Sequence, residues 1–313
     1  MQRLESMRVA YGKALADYGA VNPDVVVLDA DVSSSSQTHF FASRFPNRFF
    51  NLGVAEAGMV DVAVGFALAG KIPFANTFAF LIALRAAEQV RTCVAYACTN
   101  VKLAAGYSGL SDSKDGPTHH SICDLAVVRS LPNMTVLVAA DAVEVQKMVL
   151  LIGELKGPVY LRISRAEVPA IYEQDQEVKI GSGIVLREGS DVSLIGTGVM
   201  VSRCLEAAEN LNEHGIDARV IDIHTLKPLD DELILTAAKE TGAVVTAEEH
   251  NIIGGLGEAV ASCLAEAYPV PIKRVGIRDT FTETGSYFEL LDKYGMGVSD
   301  IVRAASELVR RKG

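Results

Sequence analysis

Glu56 lies in the stretch NLGVAEAGMVDVAVGFALAG, residues 51–70, where most neighbouring side chains are small or apolar. The pattern predicts a helix that runs into Gly70, and a helix that is apolar on nearly every side is expected to be buried. A buried carboxylate costs several kcal/mol of folding free energy unless it ionises against a cation or takes up a proton. Glu56 therefore either pairs with an arginine of its own chain or is held near a basic ring nitrogen or a proton-transfer site.

The second candidate for chemistry is the segment SGLSDSKDGPTHHS, residues 108–121, which combines glycines, acidic residues and two adjacent histidines. Loops between a strand and a helix often carry function rather than packing. Alternatively, one of His119 and His120 faces solvent and the other is satisfied in the core. We do not expect a metal site here, because neighbouring residues point apart and no third His or Cys has suitable spacing.

Other residues have both a functional and a structural interpretation. Arg165 is either a surface ion-pair residue or a guanidinium fork for a phosphate. Phe78 and Phe80 are either core residues or part of a site. The stretch GTGVMV, residues 196–201, lacks the last glycine of the dinucleotide-binding GxGxxG motif, so we interpret it as a tight strand-to-helix turn. The residues alone predict a polar crevice without identifying a reaction.

Composition narrows the class of protein. The net charge of −10 argues against a surface for nucleic acid or for an anionic membrane. The longest apolar stretches are interrupted by Asp61, Lys71 and Arg85, so no membrane span is expected. Residues 1–8 lack the apolar core of a signal peptide. The five cysteines form no CxxC pair and are odd in number, which is typical of reduced thiols in a cytoplasmic protein.

The candidate residues must be positioned by short β-rich runs that alternate with helix-length stretches. This alternation predicts an α/β protein with two consecutive doubly wound, mostly parallel-sheet domains. We place the domains at residues 1–170 and 185–313, joined by a polar linker at 171–184. The predicted strands are 25–31, 71–77, 101–107, 134–140, 158–164, 191–198, 218–224, 243–249 and 272–277. The predicted helices are 55–69, 80–97, 142–153, 199–213, 230–240, 255–267 and 299–311.

Ligands of doubly wound sheets bind at the carboxyl ends of the strands. We therefore expect the polar and aromatic residues at those ends to lie together along one edge of the first sheet. These residues are Asp29, Asp31, the serines 33–36, Asn76, Thr77, Phe78, the 108–121 segment, Arg162 and Arg165.

Several motifs together resemble the C-terminal half of transketolase, a thiamine-diphosphate enzyme. They include DVVVLDADVSSS, RFFNLGVAEAGMV, FANTFAF, DGPTHHS, RISRAEVPAIY and EEHNIIGGLGEAV, which occur in the order of the family and span nearly the whole chain. The resemblance implies a pyrimidine-binding domain followed by the transketolase C-terminal domain. It also implies transfer of a two-carbon ketol unit from a ketose phosphate to an aldose phosphate.

The resemblance implies a site for the cofactor. In this family the glutamate at the position of Glu56 hydrogen-bonds N1′ of the cofactor's aminopyrimidine, and the aromatic residue at the position of Phe78 stacks on that ring. Asp31 is a third residue expected to contact the cofactor. Thiamine diphosphate itself supplies the reactive carbon. The resemblance therefore favours the second interpretation of Glu56, in which it faces a ring nitrogen of a ligand.

The resemblance implies a sugar site beside the cofactor. His119 resembles the histidine near the C1 and C2 oxygens of the sugar, and with Glu56 it is a predicted catalytic residue. Asp115 resembles an aspartate that binds a substrate hydroxyl. The sugar phosphate is gripped by polar and guanidinium groups, a task to which bidentate arginines are suited. The residues at the phosphate end are Arg8, Ser35, Tyr107 and Arg165.

The chain departs from the family pattern near the sugar and the cofactor. The departures are Tyr107 for a usual histidine, Lys114 for a common acid, His120 for a frequent glutamine, and Leu81 and Leu84 for two further aromatics. These changes do not threaten the cofactor chemistry, but they bear on which sugars are used. An unusual or branched ketose phosphate is therefore a candidate substrate.

The family holds the cofactor's diphosphate and a divalent metal with a GDG motif and a downstream asparagine, and no GDG occurs in this sequence. Oxygen ligands and a metal such as Mg²⁺ are needed to neutralise a diphosphate, so a partner chain, an N-terminal transketolase subunit, must supply them. The resemblance thus implies the second subunit of a split enzyme, an α2β2 heterotetramer acting in cytoplasmic pentose phosphate metabolism. Gly58, Gly65 and Ala69 would permit close helix packing in a homodimer of this chain.

Three other functions remain as alternatives. A 1-deoxyxylulose-5-phosphate synthase shares this half and uses pyruvate, but it is normally one long chain. The β subunit of a 2-oxo-acid dehydrogenase E1 component shares the architecture, but its usual C-terminal proline-aromatic signature is missing here. A non-catalytic dimerisation or regulatory module would have no physical need to keep the set Glu56, Phe78, Asp115, His119 and Arg165.

Overall fold

Two mostly parallel sheets, each with helices packed on both faces, form the core of the computed structural model, which describes residues 4–312. Residues 1–3 and 313, at the outer ends of the two predicted domains, lie outside the described residues. The predicted fold class, two consecutive doubly wound α/β sheets, is confirmed. Among the described helices, none combines the length and the apolar character needed to cross a membrane.

The elements follow one another in an alternating order. The strands are β1 (Leu4–Ser6), β2 (Val25–Asp29), β3 (Phe49–Asn51), β4 (Ile72–Phe78), β5 (Lys102–Gly106), β6 (Thr135–Val138), β7 (Val159–Arg162), β8 (Glu167–Pro169), β9 (Ile184–Arg187), β10 (Val192–Gly196), β11 (Ala218–Asp222), β12 (Thr225–Lys227), β13 (Val244–Asn251) and β14 (Ile272–Ile277). The helices are α1 (Met7–Val21), α2 (Ser33–Ser36), α3 (His39–Arg44), α4 (Glu56–Leu68), α5 (Asp124–Ser130), α6 (Ala142–Glu154), α7 (Met200–Glu213), α8 (Asp231–Thr241), α9 (Leu256–Ala267), α10 (Tyr287–Lys293) and α11 (Val298–Lys312).

The first sheet has the strand order β12-β6-β7-β5-β4-β2-β3 and is buried on both faces. Along β2, Val25 and Val27 pack on one side with α1 and α6, whereas Val26 and Leu28 pack on the other side with α4. Successive strand residues point to opposite faces, so a strand covered on both sides must be apolar throughout. The continuous run VVVL meets that requirement.

The parallel register of this sheet aligns the carboxyl ends of its strands. Asp29 at the end of β2 lies opposite Asn76 of β4, and Phe78 at the end of β4 lies opposite Gly106 of β5. Residues that follow these strands are therefore neighbours in space although they are far apart in the chain. This is the edge at which the sequence predicts a site.

The second sheet has the strand order β14-β13-β10-β11-β9, with α7 and α11 on one face and α8 and α9 on the other. Its pairings are parallel except for that of β9, which runs antiparallel to β11 at the edge. The predicted tight turn of GTGVMV leads from the end of β10 directly into α7. β9 is not among the strands predicted from the sequence.

A strand from the C-terminal half completes the first sheet. β12 pairs antiparallel with β6, and the Val138 N–H donates a hydrogen bond of 2.9 Å to the carbonyl of His224. The sequence HTLKPLD resembles a turn, so its residues did not predict a strand. The two halves therefore share one sheet edge in addition to their side-chain contacts.

The predicted single helix over residues 80–97 is wrong in detail. The segment forms two π-helical stretches, Leu81–Arg85 and Gln89–Tyr96. In a π-helix an N–H donates to the carbonyl five residues earlier, as Ala86 does to Leu81 at 3.0 Å. Leu81 is buried here, whereas Leu84 and Arg85 lie at the surface. Hydrophobic periodicity could not distinguish this arrangement from an α-helix.

A buried acidic cluster connects the first sheet, the predicted linker and the second sheet. Asp141, the N-cap of α6, accepts hydrogen bonds of 2.8 Å from the N–H groups of Ile171 and Tyr172. The Tyr172 hydroxyl donates to Asp222 at 2.7 Å, whereas the buried Asp222 Oδ1 and Glu144 Oε1 have no hydrogen-bond partner among the described residues. Burial raises the pKa of Glu144 and raises that of Asp222 to about 7. Both carboxyl groups therefore keep their protons to a higher pH than exposed acids do.

Replacing Asp222 with asparagine is expected to stabilise the chain at alkaline pH. A group whose folded-state pKa is raised contributes stability below its unfolded pKa and loses it as the pH rises through the folded value, here about 7. Asparagine retains an acceptor for Tyr172 and gains a donor for Glu144. We expect the variant to gain about 2–4 kcal/mol of unfolding free energy over wild type at about pH 9 and none below about pH 4, where the Asp222 carboxyl is protonated in both the folded and the unfolded state.

Urea denaturation of both proteins across this pH range measures the difference. The exposed Asp175→Asn variant is the control and is expected to follow wild type at every pH. An Asp222→Asn variant less stable than wild type at alkaline pH would show that Asp222 is needed as a carboxylate.

Candidate active site

Glu56 is the first residue of α4, and its side chain is 2% exposed. Its described ion-pair partner is Arg85 from the π-helical segment, whose Nη1 lies 3.3 and 3.4 Å from the two carboxylate oxygens. These distances exceed the roughly 2.7–2.9 Å of strong charged hydrogen bonds. The Arg85 side chain is also 57% exposed. The N-terminus of a helix also favours a negative charge. The structure thus contains the arginine pair of the first interpretation, but as a loose pair at the surface.

The outer face of α4 lacks a covering element among the described residues. Gly58, Gly65 and the apolar side chains Val62 and Leu68 lie on it, and the two apolar side chains are exposed. A Cβ atom built on either glycine would meet no atom within 4 Å. The adjacent Leu84 is also 53% exposed. An apolar face with such small residues permits another helix to approach closely.

An aromatic cluster lies at the ends of β4 and β5. The rings of Phe78 and Tyr107 are stacked with their centroids 4.3 Å apart. Phe80 and Phe78 make edge contacts with the His119 ring at 5.3 and 6.4 Å between centroids. Tyr107 has a backbone φ of 57°, which is strained for a residue with a Cβ and is often found at functional sites. The neighbouring strand ends therefore bring Phe78, Tyr107 and His119 together.

The four residues predicted for the phosphate end also meet. Arg8 Nη1 donates to the carbonyl of Ser35 at 2.7 Å and to the Tyr107 hydroxyl at 3.3 Å. Arg8 Nε donates to the carbonyl of Arg165 at 3.3 Å. The guanidinium carbons of Arg8 and Arg165 lie 5.3 and 4.9 Å from the centroid of the Tyr107 ring. Two cationic groups thus flank one aromatic ring.

The 108–121 segment lies beside this cationic end. Asp112 was not among the predicted site residues, yet its fully buried carboxylate forms an ion pair with Arg165. Burial and the nearby negative charge of Asp115 raise the pKa of Asp112. Asp115 itself is exposed, and the His119 Nδ1 lies 3.0 Å from the Thr118 hydroxyl. The predicted sugar-binding side chains therefore share one loop with an unpredicted acid.

The two aspartates after β2 have different surroundings. Asp29 is buried and accepts hydrogen bonds from Val32 N–H at 2.6 Å and from the Thr38 hydroxyl at 2.7 Å. These bonds tie the start of α2 and α3 to the strand. Asp31 is exposed and pairs with Asn51, whose Nδ2 donates to it at 2.9 Å. Asp31 therefore contacts the end of β3, the strand that precedes α4 and Glu56, whereas Asp29 has a structural role.

Arg162, which was expected among the ligand-facing residues at the strand ends, is buried instead. Its guanidinium binds Asp124 through Nε at 2.8 Å and Nη2 at 3.2 Å, and Nη2 also donates to the carbonyls of Ser121 and Glu249. His120 is also buried and bonded within the protein. The interpretation of a core histidine is thus correct for His120. The half-buried His119 remains accessible to a ligand.

The residues present fit the aminopyrimidine end of thiamine diphosphate. A buried carboxylate with only a loose partner suits a ring nitrogen, the half-buried Phe78 offers an aromatic surface, and the buried Thr77 hydroxyl has no hydrogen-bond partner among the described residues. Within residues 4–312, no three His, Cys, Asp or Glu side chains are grouped closely enough to hold a metal ion. Glu56, Phe78 and Asp31 remain the residues predicted to hold the cofactor.

Comparisons with known proteins agree with this geometry. The chain matches the family models "Transketolase, pyrimidine binding domain" over residues 5–170 and "Transketolase, C-terminal domain" over residues 181–301. It is 42% identical to the 6-deoxy-6-sulfo-D-fructose transketolase subunit SqwH of Clostridium sp. (strain MSTE9), over 98% of this chain and 95% of the relative. It is 36% identical to one of the subunits of the apulose-4-phosphate transketolase of Phocaeicola vulgatus, over 97% of each chain.

A solved structure described as "Split gene transketolase, inactive beta4 tetramer" is also similar. It has a TM-score of 0.92 and 47% sequence identity, and the alignment covers 98% of this chain and 99% of the other. The similarity therefore includes both sheets and extends over nearly the full length of a separately encoded subunit. The chain belongs to the transketolase family, as the C-terminal subunit of a split, thiamine-diphosphate-dependent transketolase.

Proposed function

We propose that this chain and an N-terminal partner subunit transfer a two-carbon ketol unit from a ketose phosphate to an aldose phosphate. The observation that carries the proposal is the meeting of Arg8, Ser35, Tyr107 and Arg165 at the carboxyl edge of the first sheet, in a chain whose Glu56 is buried with only a loose partner. An anionic sugar phosphate needs the cationic group around Tyr107, and the cofactor's aminopyrimidine ring needs the Glu56 carboxyl group. Thiamine diphosphate, when bound, supplies the carbon that forms and breaks the bond to the ketol unit.

Each predicted site residue has a defined task in this proposal. Glu56 holds and returns a proton at N1′ of the aminopyrimidine, and Phe78 provides the surface on which that ring stacks. Asp31 completes the cofactor contacts of this chain. His119 binds and exchanges protons with oxygens at C1 and C2 of the sugar, and Asp115 binds a hydroxyl further along it.

The cationic, phosphate-binding end of the site supports an unusual ketose as the substrate. Tyr107 replaces the histidine that is usual in transketolases and takes part in the stack with Phe78 instead. Relatives similar over nearly the whole chain are named for 6-deoxy-6-sulfo-D-fructose and for apulose 4-phosphate. We propose an unusual or branched ketose phosphate as the donor.

The partner subunit would carry the GDG motif and the downstream asparagine, and would hold Mg²⁺ against the cofactor's diphosphate. The exposed face of α4 supports a homodimer of this chain within an α2β2 assembly. We place the enzyme in pentose phosphate metabolism and in the cytoplasm. We propose domain limits at 1–170 and 185–313 with a linker at 171–184, which the two family matches at 5–170 and 181–301 support.

Turnover of xylulose 5-phosphate with ribose 5-phosphate, thiamine diphosphate and Mg²⁺ tests the proposal. The chain is assayed alone, with the partner encoded by a neighbouring gene, and with a panel of other ketose phosphates. We expect activity only when both chains are present. Activity with a branched or sulfonated ketose but not with xylulose 5-phosphate would support the unusual donor.

Two arms of the same assay separate the alternatives. Condensation of pyruvate with glyceraldehyde 3-phosphate would identify a 1-deoxyxylulose-5-phosphate synthase, and decarboxylation of a 2-oxo acid with reduction of a dye would identify an E1 component. Binding of the partner without cofactor binding or any turnover would contradict the catalytic proposal and favour a regulatory module. The transketolase names of the relatives favour the first outcome, in which a ketol unit is transferred.

A further inference from the structure

Arg165 is held in place by residues of the 108–121 segment. Its guanidinium forms an ion pair with the fully buried Asp112 carboxylate and lies 4.9 Å from the centroid of the Tyr107 ring. Its backbone N–H donates to the Ser111 hydroxyl at 3.0 Å. A guanidinium fixed from two sides loses little further freedom when it binds an anion, so its position determines affinity.

Asp112 is in turn held by His120. The His120 ring is buried between the carbonyl of Asp112, 3.2 Å from Nε2, and the Thr282 hydroxyl, 2.5 Å from Nδ1. A carbonyl can only accept, so Nε2 carries a proton, and in the neutral ring Nδ1 accepts a hydrogen bond from the Thr282 hydroxyl. Burial lowers the pKa of His120 and so favours the neutral ring.

Thr282 belongs to the C-terminal half, in the segment 279–285 between β14 and α10. The same segment contacts the 108–121 loop twice more. The Gly285 N–H donates to the carbonyl of Ser113 at 3.0 Å. A Cβ on Gly116, whose φ is +80°, would collide with the Thr284 hydroxyl. The C-terminal half therefore packs directly against the loop that carries the sugar-binding residues.

We propose that the relay Thr282–His120–Asp112 is a specificity device that sets the position of Arg165 for the anionic end of the sugar. The proposal rests on the proposed function of the site. Asp112 and His120 are positioning residues, because they act through Arg165 and not on the reacting atoms.

The Asp112→Asn variant of the two-chain holoenzyme tests the relay. Asparagine keeps the shape and one acceptor oxygen but removes the charge that fixes the guanidinium. We expect the KM for the ketose phosphate to rise about tenfold with kcat changed less than about twofold, while kcat/KM for the same ketose without its phosphate stays unchanged. Thr282→Val, which cuts the far end of the relay, is expected to raise the same KM about threefold.

The matched control is Thr280→Val, an exposed threonine of the same segment outside the relay, which is expected to leave both substrates unaffected. Equal losses with the phosphorylated and unphosphorylated ketose would overturn the proposal, because they indicate a general effect on folding or assembly. An unchanged KM in Asp112→Asn would overturn it as well.

Calorimetric titration with inorganic phosphate separates this inference from the proposed function. If the wild-type holoenzyme turned over no sugar phosphate, the proposed function would fail. Phosphate binding that is about tenfold weaker in Asp112→Asn than in wild type would still support the relay. Equal phosphate binding by the two proteins, or none by wild type, would overturn it.

Discussion

Replacing Glu56 with glutamine is expected to lower kcat of the two-chain enzyme by about 10²–10⁴-fold while leaving the fold intact. Glutamine has the same shape and can still accept a hydrogen bond from Arg85, so the start of α4 keeps its contacts. It cannot hold and return a proton as a carboxylic acid does. The measurement is steady-state turnover with saturating cofactor, together with the melting temperature and the affinity for thiamine diphosphate.

Two further variants show whether Glu56 acts on the ligand or only on its own chain. The exposed Glu213→Gln variant controls for loss of a carboxylate and is expected to keep wild-type activity. If Glu56 served only to pair with Arg85, Arg85→Gln would reduce kcat as severely as Glu56→Gln. We expect Arg85→Gln to retain kcat within about tenfold of wild type, because the pair is long and half-exposed.

Replacing Arg162 with methionine is expected to lower the free energy of unfolding by about 3–5 kcal/mol. The substitution leaves the Asp124 carboxylate, which is fully buried, with only the Tyr160 hydroxyl at 2.7 Å among its hydrogen-bond donors in the described structure. It also removes the donor that binds the carbonyls of Ser121 and Glu249. Urea denaturation at neutral pH measures the loss.

The size of this effect depends on burial and not on the loss of a salt bridge as such. Lys71→Met breaks the exposed Lys71–Asp24 pair and is expected to cost less than about 1 kcal/mol. Combining Arg162→Met with Asp124→Leu removes both buried charges and is expected to recover much of the loss. A cost for Arg162→Met similar to that of Lys71→Met would refute this account.

Local patterns were sufficient to predict most of the elements and the order in which they occur. The apolar run of β2 and the polar residues after β4 and β5 indicated a parallel sheet and a site at its carboxyl edge. The motifs around Glu56 and His119 identified the family. These predictions succeed because hydrophobic periodicity and motif spacing depend on residues that are close together in the chain.

Two of the misses arise from contacts between distant segments. β12 is a strand only because it completes the edge of a sheet formed by the other half of the chain. Arg162 stands at a strand end like Arg165, but Asp124 and two carbonyls hold it in the core. No local pattern distinguishes these two arginines, because their surroundings are created only when the sheets and loops pack.

The amino-acid sequence by itself determined the α/β class, the family, and the residue types that the chemistry needs. The tertiary structure decided which of those residues meet. Arg8, Ser35, Tyr107 and Arg165 converge because parallel strands end at one edge, and Asp112 reaches Arg165 because the C-terminal half supports its loop. Side-chain types are a property of the chain, whereas distances between segments that are far apart in the sequence arise only from packing, which no local pattern encodes.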